Sequence, residues 1–145
     1  MPNESETVLR RWFSEVWNEG RLDSIDELFA ADGVAYGLAE GGADDVHGPA
    51  QFRRFVQAML EEFTEFRVDV QDVVTDGPKV ALRWTATGRY RGTQFGASTG
   101  NPVRMIGMTM AHVADGKIVE GWNVWDIMGM ARQLGAEPMV AKLLT

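Results

Sequence analysis

The sequence predicts an α+β fold in which three N-terminal helices lie on one face of a curved antiparallel sheet. Two observations carry this prediction. Apolar residues recur at helical spacing up to Phe63, and after Phe63 they alternate with a period of two, as in half-buried strands. Helices followed by long hairpins are typical of α+β domains rather than of alternating parallel folds. A sheet that curves around helices forms a cone with an open mouth, so we expect a small-molecule pocket there.

The helical region divides into three segments. Asn3 and Glu6 are placed as in a capping box, and Gly20 follows the first segment as a helix stop. Pro49 suits the first turn of the third helix. A short strand and a loop rich in glycine and aspartate are expected between the second and third helices. The predicted helices cover residues 3–18, 22–29 and 49–63.

The region after Phe63 predicts four strands and a last helix. The Asp76-Gly77 and Asp115-Gly116 pairs are hairpin turn signals. In the second strand, Trp84 and Tyr90 share one face, and a row of arginines and threonines occupies the other. The predicted strands cover residues 66–74, 80–91, 103–113 and 118–126, and the last helix covers residues 128–134.

Composition narrows the possible partners. The chain has 145 residues, 45% of them hydrophobic, which fits a single domain over residues 1–145. A net charge of −7 predicts no binding to nucleic acid and no docking on anionic membranes. The absence of cysteine suits the cytoplasm, and neither a signal-peptide pattern nor an apolar run of roughly 18 residues is present. We therefore expect a cytoplasmic protein that binds small molecules or other proteins.

Two polar residues stand out in the otherwise apolar final hairpin. His112 shares a strand face with Ile106, Met108 and Met110, and Asp126 ends the next strand. If both face a dry cavity, desolvation raises the pKa of such a carboxylate toward the range useful for acid–base catalysis. An imidazole beside it could orient it or exchange a proton with the substrate. Such a pair could abstract a proton next to a carbonyl without a cofactor.

The strand phasing opposes this pair unless the hairpin is irregular. With a two-residue turn, His112 pairs with Val119, so Asn123 points the same way as His112 and Asp126 points the opposite way. Glycine inside a strand often marks a bulge, and a bulge at Gly121 would reverse the phase and bring Asp126 to the His112 face. Asn123 and Asp126 are therefore alternatives. A purely structural interpretation also stays open, in which His112 caps a backbone carbonyl and Asp126 is the N-cap of the last helix.

Three segments resemble a known family. They read RRWFSEVWNEGRLDSIDELFAADGV, GPAQFRRFVQAML and ADGKIVEGWNVWDIMGMARQLG, and they are similar to the SnoaL-like polyketide cyclases (the ester cyclase group) of the nuclear transport factor 2-like superfamily. The resemblance covers the chain from about Val8 to Gly135. It implies a cone-shaped cavity, no cofactor, and a homodimer or higher homo-oligomer assembled through the sheet.

The resemblance also implies a function and a site. Family members close rings in aromatic polyketides by intramolecular aldol condensation, and their catalytic histidine and aspartate match His112 and Asp126, so we expect a small, apolar carbonyl substrate. The chain departs from the family pattern at Tyr36, where relatives have histidine or asparagine, and at Met110, where many have a polar residue. The implied substrate-binding residues are Tyr36, Trp84, Tyr90, Met108, Met110, Trp122 and Asn123.

Other functions are compatible with the same fold. An epoxide hydrolase could use Asp126, Tyr36 and Arg104, but a second acid is missing from the expected position. An isomerase-like proton shuttle uses the same acid–base chemistry. A non-catalytic binding or dimerisation module could instead use the row formed by Arg83, Thr85, Thr87 and Arg89. His47 is expected to be exposed, and the spacing of histidines and acids predicts no metal site.

Overall fold

The computed structural model describes residues 3–38, 45–92 and 100–135. It shows a mixed α+β domain in which helices pack against a curved six-stranded sheet of order β2-β1-β6-β5-β4-β3. β1 and β6 run parallel, and the other neighbouring strands run antiparallel. The strands are β1 (Phe29–Tyr36), β2 (Val46–His47), β3 (Phe63–Asp76), β4 (Lys79–Tyr90), β5 (Pro102–Ala114) and β6 (Lys117–Trp125).

The helices are α1 (Glu4–Arg11), α2 (Asp23–Leu28), α3 (Gly48–Glu62) and α4 (Ile127–Gln133), and a π-helix, Trp12–Asn18, continues α1. The predicted fold class is confirmed, and each predicted helix has a counterpart with slightly different ends. The loop predicted between the second and third helices falls largely on residues 39–44, outside the described residues. None of the described helices is long and apolar enough to cross a membrane.

The first helix begins as its capping pattern predicts. The Asn3 side chain accepts a hydrogen bond from the Glu6 N–H at 2.9 Å. Its second half is a π-helix, in which the Glu19 N–H donates to the Ser14 carbonyl five residues back. The sequence did not predict this change, because pairs of apolar residues such as Trp12-Phe13 and Val16-Trp17 fit both helix types. All four of these side chains are buried.

A side-chain amide fastens the end of the π-helix to the edge of the sheet. Asn18 donates from Nδ2 to the Val68 carbonyl at 2.9 Å and accepts at Oδ1 from the Val68 N–H at 2.7 Å. Val68 lies in β3, the edge strand. The amide therefore replaces the strand neighbour that an edge residue lacks. This clamp holds the aromatic residues of the π-helix over the concave face of the sheet.

The hairpin of β5 and β6 contains one β-bulge. Val113 pairs with Ile118, but His112 pairs with Glu120, so Val119 is an extra residue on β6. The sequence left a bulge at Gly121 open as one alternative, and the observed bulge lies two residues before that position. Beyond the bulge the pairing is regular, with Ala111 opposite Gly121, Thr109 opposite Asn123 and Gly107 opposite Trp125. The bulge decides which side chains of β6 face the helices.

Candidate functional site

A cavity lies between the helices and the concave face of the sheet. Its empty space, which includes open solvent at the mouth, is about 750 Å³. None of its lining residues, as far as the chain is described, carries a titratable side chain. The walls are mainly aromatic, formed by Trp12, Phe13, Trp17, Phe55, Trp84 and Trp125. Such walls suit a flat, apolar molecule.

A line of hydrogen bonds crosses the floor of this cavity from β4 to β1. The Trp84 indole N–H donates to Thr109 Oγ1 at 3.0 Å, and the Thr109 hydroxyl donates to Asn123 Oδ1 at 2.8 Å. Asn123 Nδ2 then donates to the Tyr36 carbonyl at 3.0 Å. At the end of β6, the Trp125 indole N–H donates to the Leu38 carbonyl at 3.2 Å. We call the first three bonds the polar line.

The two faces of β5 are the reverse of what the sequence predicted. Residues with odd numbers from Val103 to Val113 are buried, whereas Ile106, Met108 and Met110 are exposed on the convex face. The expected cavity placement of Met108 and Met110 is therefore wrong. The physical reason is that the buried face uses small residues, Gly107, Thr109 and Ala111, which leave room for rings and for the cavity.

His112 also lies on the convex side of the sheet. It is half-buried at the end of β5, between Lys79 of β4 and Glu120 of β6 in the strand register. It does not line the cavity. The bulge at Val119 places Asn123 inside and Trp122 outside, so Trp122 belongs to the His112 face, as the bulge hypothesis required. That face points away from the cavity, which the hypothesis did not foresee.

Asp126 has the capping geometry that the sequence left open as its alternative. It is the N-cap of α4, and its Oδ1 accepts a hydrogen bond from the Gly129 N–H at 2.8 Å. The side chain is exposed and does not line the cavity. The structure does not bring Asp126 and His112 together in one dry site. An N-cap residue needs non-helical backbone and a short acceptor side chain, and Asp126, at the junction between β6 and α4, has both.

The remaining predicted site residues divide between three environments. Trp84 and Asn123 line the cavity. Tyr90 is fully buried and packs against Phe63, with ring centroids 5.6 Å apart, and it does not line the cavity. Tyr36 stacks on Trp122 with ring centroids 5.8 Å apart and lies outside the cavity lining. Tyr36 contributes to the polar line only through its backbone carbonyl.

The alternative site residues are not assembled either. Tyr36, Arg104 and Asp126 all lie outside the cavity lining, so the described residues do not form the epoxide hydrolase set. The Arg104 backbone is held instead by the Gln133 amide through two hydrogen bonds of 2.8 Å. In the outward row, Arg83 pairs with Asp72 and Arg89 with Glu65, and His47 is exposed. No group of three metal-ligating side chains occurs within the described ranges.

The sequence interpretation missed Thr109 as a site residue. Thr109 lies between Met108 and Met110, and its hydroxyl is 25 residues from Trp84 and 14 from Asn123 in sequence. A usable signal was present in the sequence. Gly107, Thr109 and Ala111 form an alternating row of small residues, and in the register the last two lie opposite Asn123 and Gly121 of β6. Small side chains on one face of a strand indicate that something large approaches that face.

Comparisons with known proteins agree with this architecture. The family described as SnoaL-like polyketide cyclase matches residues 7–134. IdmH of Streptomyces antibioticus, a candidate polyketide cyclase, is 29% identical with a TM-score of 0.80, over 92% of this chain and 99% of that one. AclR of Streptomyces galilaeus, a candidate hydroxylase, is 25% identical with a TM-score of 0.78, over 93% and 98% of the two chains.

A third structure supports the fold alone. A candidate SnoaL-like polyketide cyclase from Jannaschia sp. CCS1 is 23% identical with a TM-score of 0.81, over 93% of this chain and 94% of that one. No curated protein matches the sequence of this chain. The neighbours carry different activity names on one fold, so the activity of this chain has to be argued from its own cavity.

Proposed function

Since this chain belongs to the SnoaL-like polyketide cyclase family, we propose that it binds a flat, largely apolar carbonyl compound in the cavity under its helices. The observation that carries this proposal is the composition of the cavity wall. Aromatic rings surround the space, and the polar groups among its described lining are neutral. Charged ligands would lose hydration without gaining a counter-charge, whereas an apolar ring system loses little.

The magnitude of binding follows from buried apolar area. A bicyclic molecule that buries roughly 200 Å² of apolar surface gains about 5 kcal/mol, before the cost of immobilising it. A carbonyl that also finds a hydrogen bond inside the cavity adds about 1 kcal/mol. Dissociation constants of simple probe molecules in the micromolar to millimolar range are therefore expected.

Tryptophan fluorescence tests the proposal, because several tryptophans line the cavity. Titration with 1-tetralone, a flat bicyclic ketone, should quench the fluorescence saturably. Ala111 is buried in the cavity wall, and Ala111→Leu should weaken binding at least about 10-fold by filling the space. Met110→Leu, on the convex face one residue away, is the matched control and should bind like the unaltered protein. Quenching that does not saturate, or equal affinity of Ala111→Leu and Met110→Leu for 1-tetralone, would contradict the proposal.

Acid–base catalysis by Asp126 with His112 stays a prediction, and the same ketone tests it. Exchange of the protons next to the tetralone carbonyl for deuterium, followed by NMR, measures proton abstraction directly. If Asp126 is the catalyst, the protein accelerates this exchange, and Asp126→Asn and His112→Gln each abolish the acceleration. Asparagine is as good an N-cap as aspartate, so Asp126→Asn leaves the helix cap in place. Unchanged exchange in both variants would remove the two residues from the mechanism.

We also propose that the chain forms a homodimer through the convex face of the sheet. The outer patch consists of Ile106, Met108, Met110, Trp122 and Val124, each between 41% and 75% exposed. Met110 lies opposite Trp122 and Met108 opposite Val124, so the patch is continuous across β5 and β6. A contiguous exposed apolar surface of this kind marks an interaction site.

Charge complementarity argues for a second copy of this chain as the partner. In the strand register Arg83 of β4 lies beside Met108 at the border of the patch, and it donates to Asp72 of β3 at 2.6 Å. In a dimer with a two-fold axis through the patch, the patches of the two copies face each other. Arg83 and Asp72 of each copy then border the interface, so each copy presents one cation and one anion to the other.

Sedimentation velocity tests the dimer. The unaltered protein should sediment as a dimer, and the double variant Met110→Lys, Val124→Lys should sediment as a folded monomer. Thr87→Lys is the control, because Thr87 is exposed on the same convex face but lies outside the patch. A monomeric unaltered protein, or a double variant that remains dimeric, would show that the outer patch is not the dimer interface.

A further inference from the structure

The direction of the polar line determines which polar group a ligand can present to the cavity floor. An indole N–H can only donate, so Thr109 Oγ1 accepts from Trp84 and its own proton is left to donate to Asn123 Oδ1. At the other end, the Tyr36 carbonyl can only accept, so the amide nitrogen of Asn123 faces it. The orientation of the Asn123 amide is therefore fixed from both sides.

The polar line leaves one donor over. The Asn123 amide has two N–H groups, and the bond to Tyr36 uses one of them. Its oxygen accepts from the Thr109 hydroxyl, which holds the amide in this orientation. Asn123 lines the cavity, so its second N–H is the donor that the polar line can offer to a ligand. The indole N–H of Trp125 is already bonded to the Leu38 carbonyl.

We infer that Trp84, Thr109 and Asn123 together act as a specificity device, which fixes the Asn123 amide so that its second N–H binds ligands that carry a hydrogen-bond acceptor at the cavity floor. The inference rests on the proposed function, because it concerns the same cavity. It assigns Asn123 the direct contact with a ketone or quinone oxygen. Thr109 and Trp84 are positioning residues that act through the Asn123 amide.

The surroundings strengthen this selection. Thr109 is buried, and the Trp84 ring packs so closely over Gly107 that a Cβ atom at Gly107 would overlap it. Trp84 therefore has little freedom to turn its N–H away. A Cβ atom at Gly37 would overlap the backbone carbonyl of Asn123, so β1 holds closely to β6 beside the Tyr36 carbonyl. In such a packed site the amide cannot flip without leaving buried donors and acceptors unpaired.

Three probes with one ring skeleton test the inference. They are tetralin, which has no polar group, 1-tetralone, which only accepts, and 1-tetralol, which both donates and accepts. In the unaltered protein, 1-tetralone should bind about 10-fold more tightly than tetralin, because of these two only the ketone accepts a hydrogen bond from Asn123. Equal affinity for tetralin and 1-tetralone would overturn the inference while leaving the cavity proposal intact. Absence of binding by all three would instead defeat the cavity proposal.

Two variants identify the device itself. Asn123→Asp replaces the donor by a carboxylate of the same shape, so the preference should invert in favour of 1-tetralol. Thr109→Val removes the hydroxyl at constant shape and unlocks the amide, so the ketone preference should fall toward 1-fold, whereas Thr109→Ser should retain it. The ratio of ketone to hydrocarbon affinity is the readout, because general damage to the fold weakens both probes alike. If Asn123→Asp does not fold, the Thr109 pair still decides, and an unchanged ratio in Thr109→Val would refute the device.

Discussion

In the middle of the β5–β6 hairpin, the two faces differ in the opposite sense from the usual rule of apolar inside and polar outside. The convex face carries Met108, Met110, Trp122 and Val124, all exposed. Between the large buried residues Met105 and Val113, the concave face of β5 carries only small residues, Gly107, Thr109 and Ala111, with Asn123 and Gly121 of β6 opposite the last two. The difference follows from what each face contacts. The concave face receives aromatic rings from other elements and surrounds a cavity, whereas the convex face has a flat apolar patch suited to another sheet.

This contrast teaches that small residues can mark an inner face as well as large apolar residues do. A wall built of Leu or Phe would fill the cavity from the sheet side. Here most of the rings come from the π-helix, from α3 and from β4, with Trp12, Phe55 and Trp84 as examples, and the hairpin supplies the floor and one ring, that of Trp125. A strand with alternating large apolar residues can therefore have its large side chains outside, when its opposite face must leave space.

The largest expected effect comes from adding a methyl group to the concave face at Gly107. Gly107→Ala should destabilise the protein by about 2–3 kcal/mol, because the new Cβ overlaps the Trp84 ring and forces it to move. Met108→Ala, one residue away on the convex face, should change the stability of the monomer by under about 1 kcal/mol. Urea unfolding of both variants measures the difference. Equal destabilisation would show that the faces are not distinct in packing.

The polar line gives the next largest expected effect. Asn123→Leu leaves the Thr109 hydroxyl without its acceptor and the Tyr36 carbonyl without its donor, and should destabilise the protein by about 2 kcal/mol. The neighbouring Val124→Leu on the convex face should be within about 0.5 kcal/mol of the unaltered protein. Thermal and urea unfolding provide the measurement. If Asn123→Leu left the free energy of unfolding unchanged, the hydrogen bonds of the polar line would not contribute to stability.

A smaller effect is expected at Asp126, where the hairpin ends. Asp126→Ala removes the acceptor of the Gly129 N–H and should reduce stability by about 1 kcal/mol, whereas Asp126→Asn should change it by only a few tenths. Affinity for 1-tetralone should be the same in both variants, since Asp126 does not line the cavity. A loss of affinity in Asp126→Asn would place this residue at the ligand and contradict its position outside the cavity.

The smallest expected effect on stability concerns Glu15 of the π-helix, which lies away from the hairpin. Hydrogen bonds from Arg11, at 2.6 Å, and from Ser24, at 2.8 Å, lower the pKa of Glu15 to about 2. Because the folded pKa lies below the unfolded value near 4.5, the ionised form contributes stability above about pH 4.5, and this is lost as the pH falls toward 2.

Glu15→Gln should therefore lower stability at pH 7 by about 1 kcal/mol or less, as is usual for surface ion pairs. The difference from the unaltered protein should shrink as the pH falls from about 4.5 to about 2. Urea unfolding at several pH values measures it. A difference that persists at the lowest pH would have to come from packing rather than from charge.

Much of the fold could be predicted from local patterns. The capping residues Asn3 and Glu6 mark the first helix, Pro49 lies near the start of α3, and the Asp115-Gly116 pair marks the last turn. These features act over a few residues, so a sequence pattern captures them. The candidate site was less predictable. Trp84 and Asn123 are in the cavity wall, but His112, Met108, Met110 and Trp122 face the other way, and Thr109 was missed.

The sequence by itself therefore determined the order of the elements, several helix caps and turns, and which residues of the regular strands share a face. Only the tertiary structure decided which of the two faces is inside. That choice depends on the extra residue Val119, which shifts the phase of β6, and on rings such as Trp84 that arrive from distant strands. Alternation has the same period on both sides of a sheet, so the inner side is fixed by what packs against it.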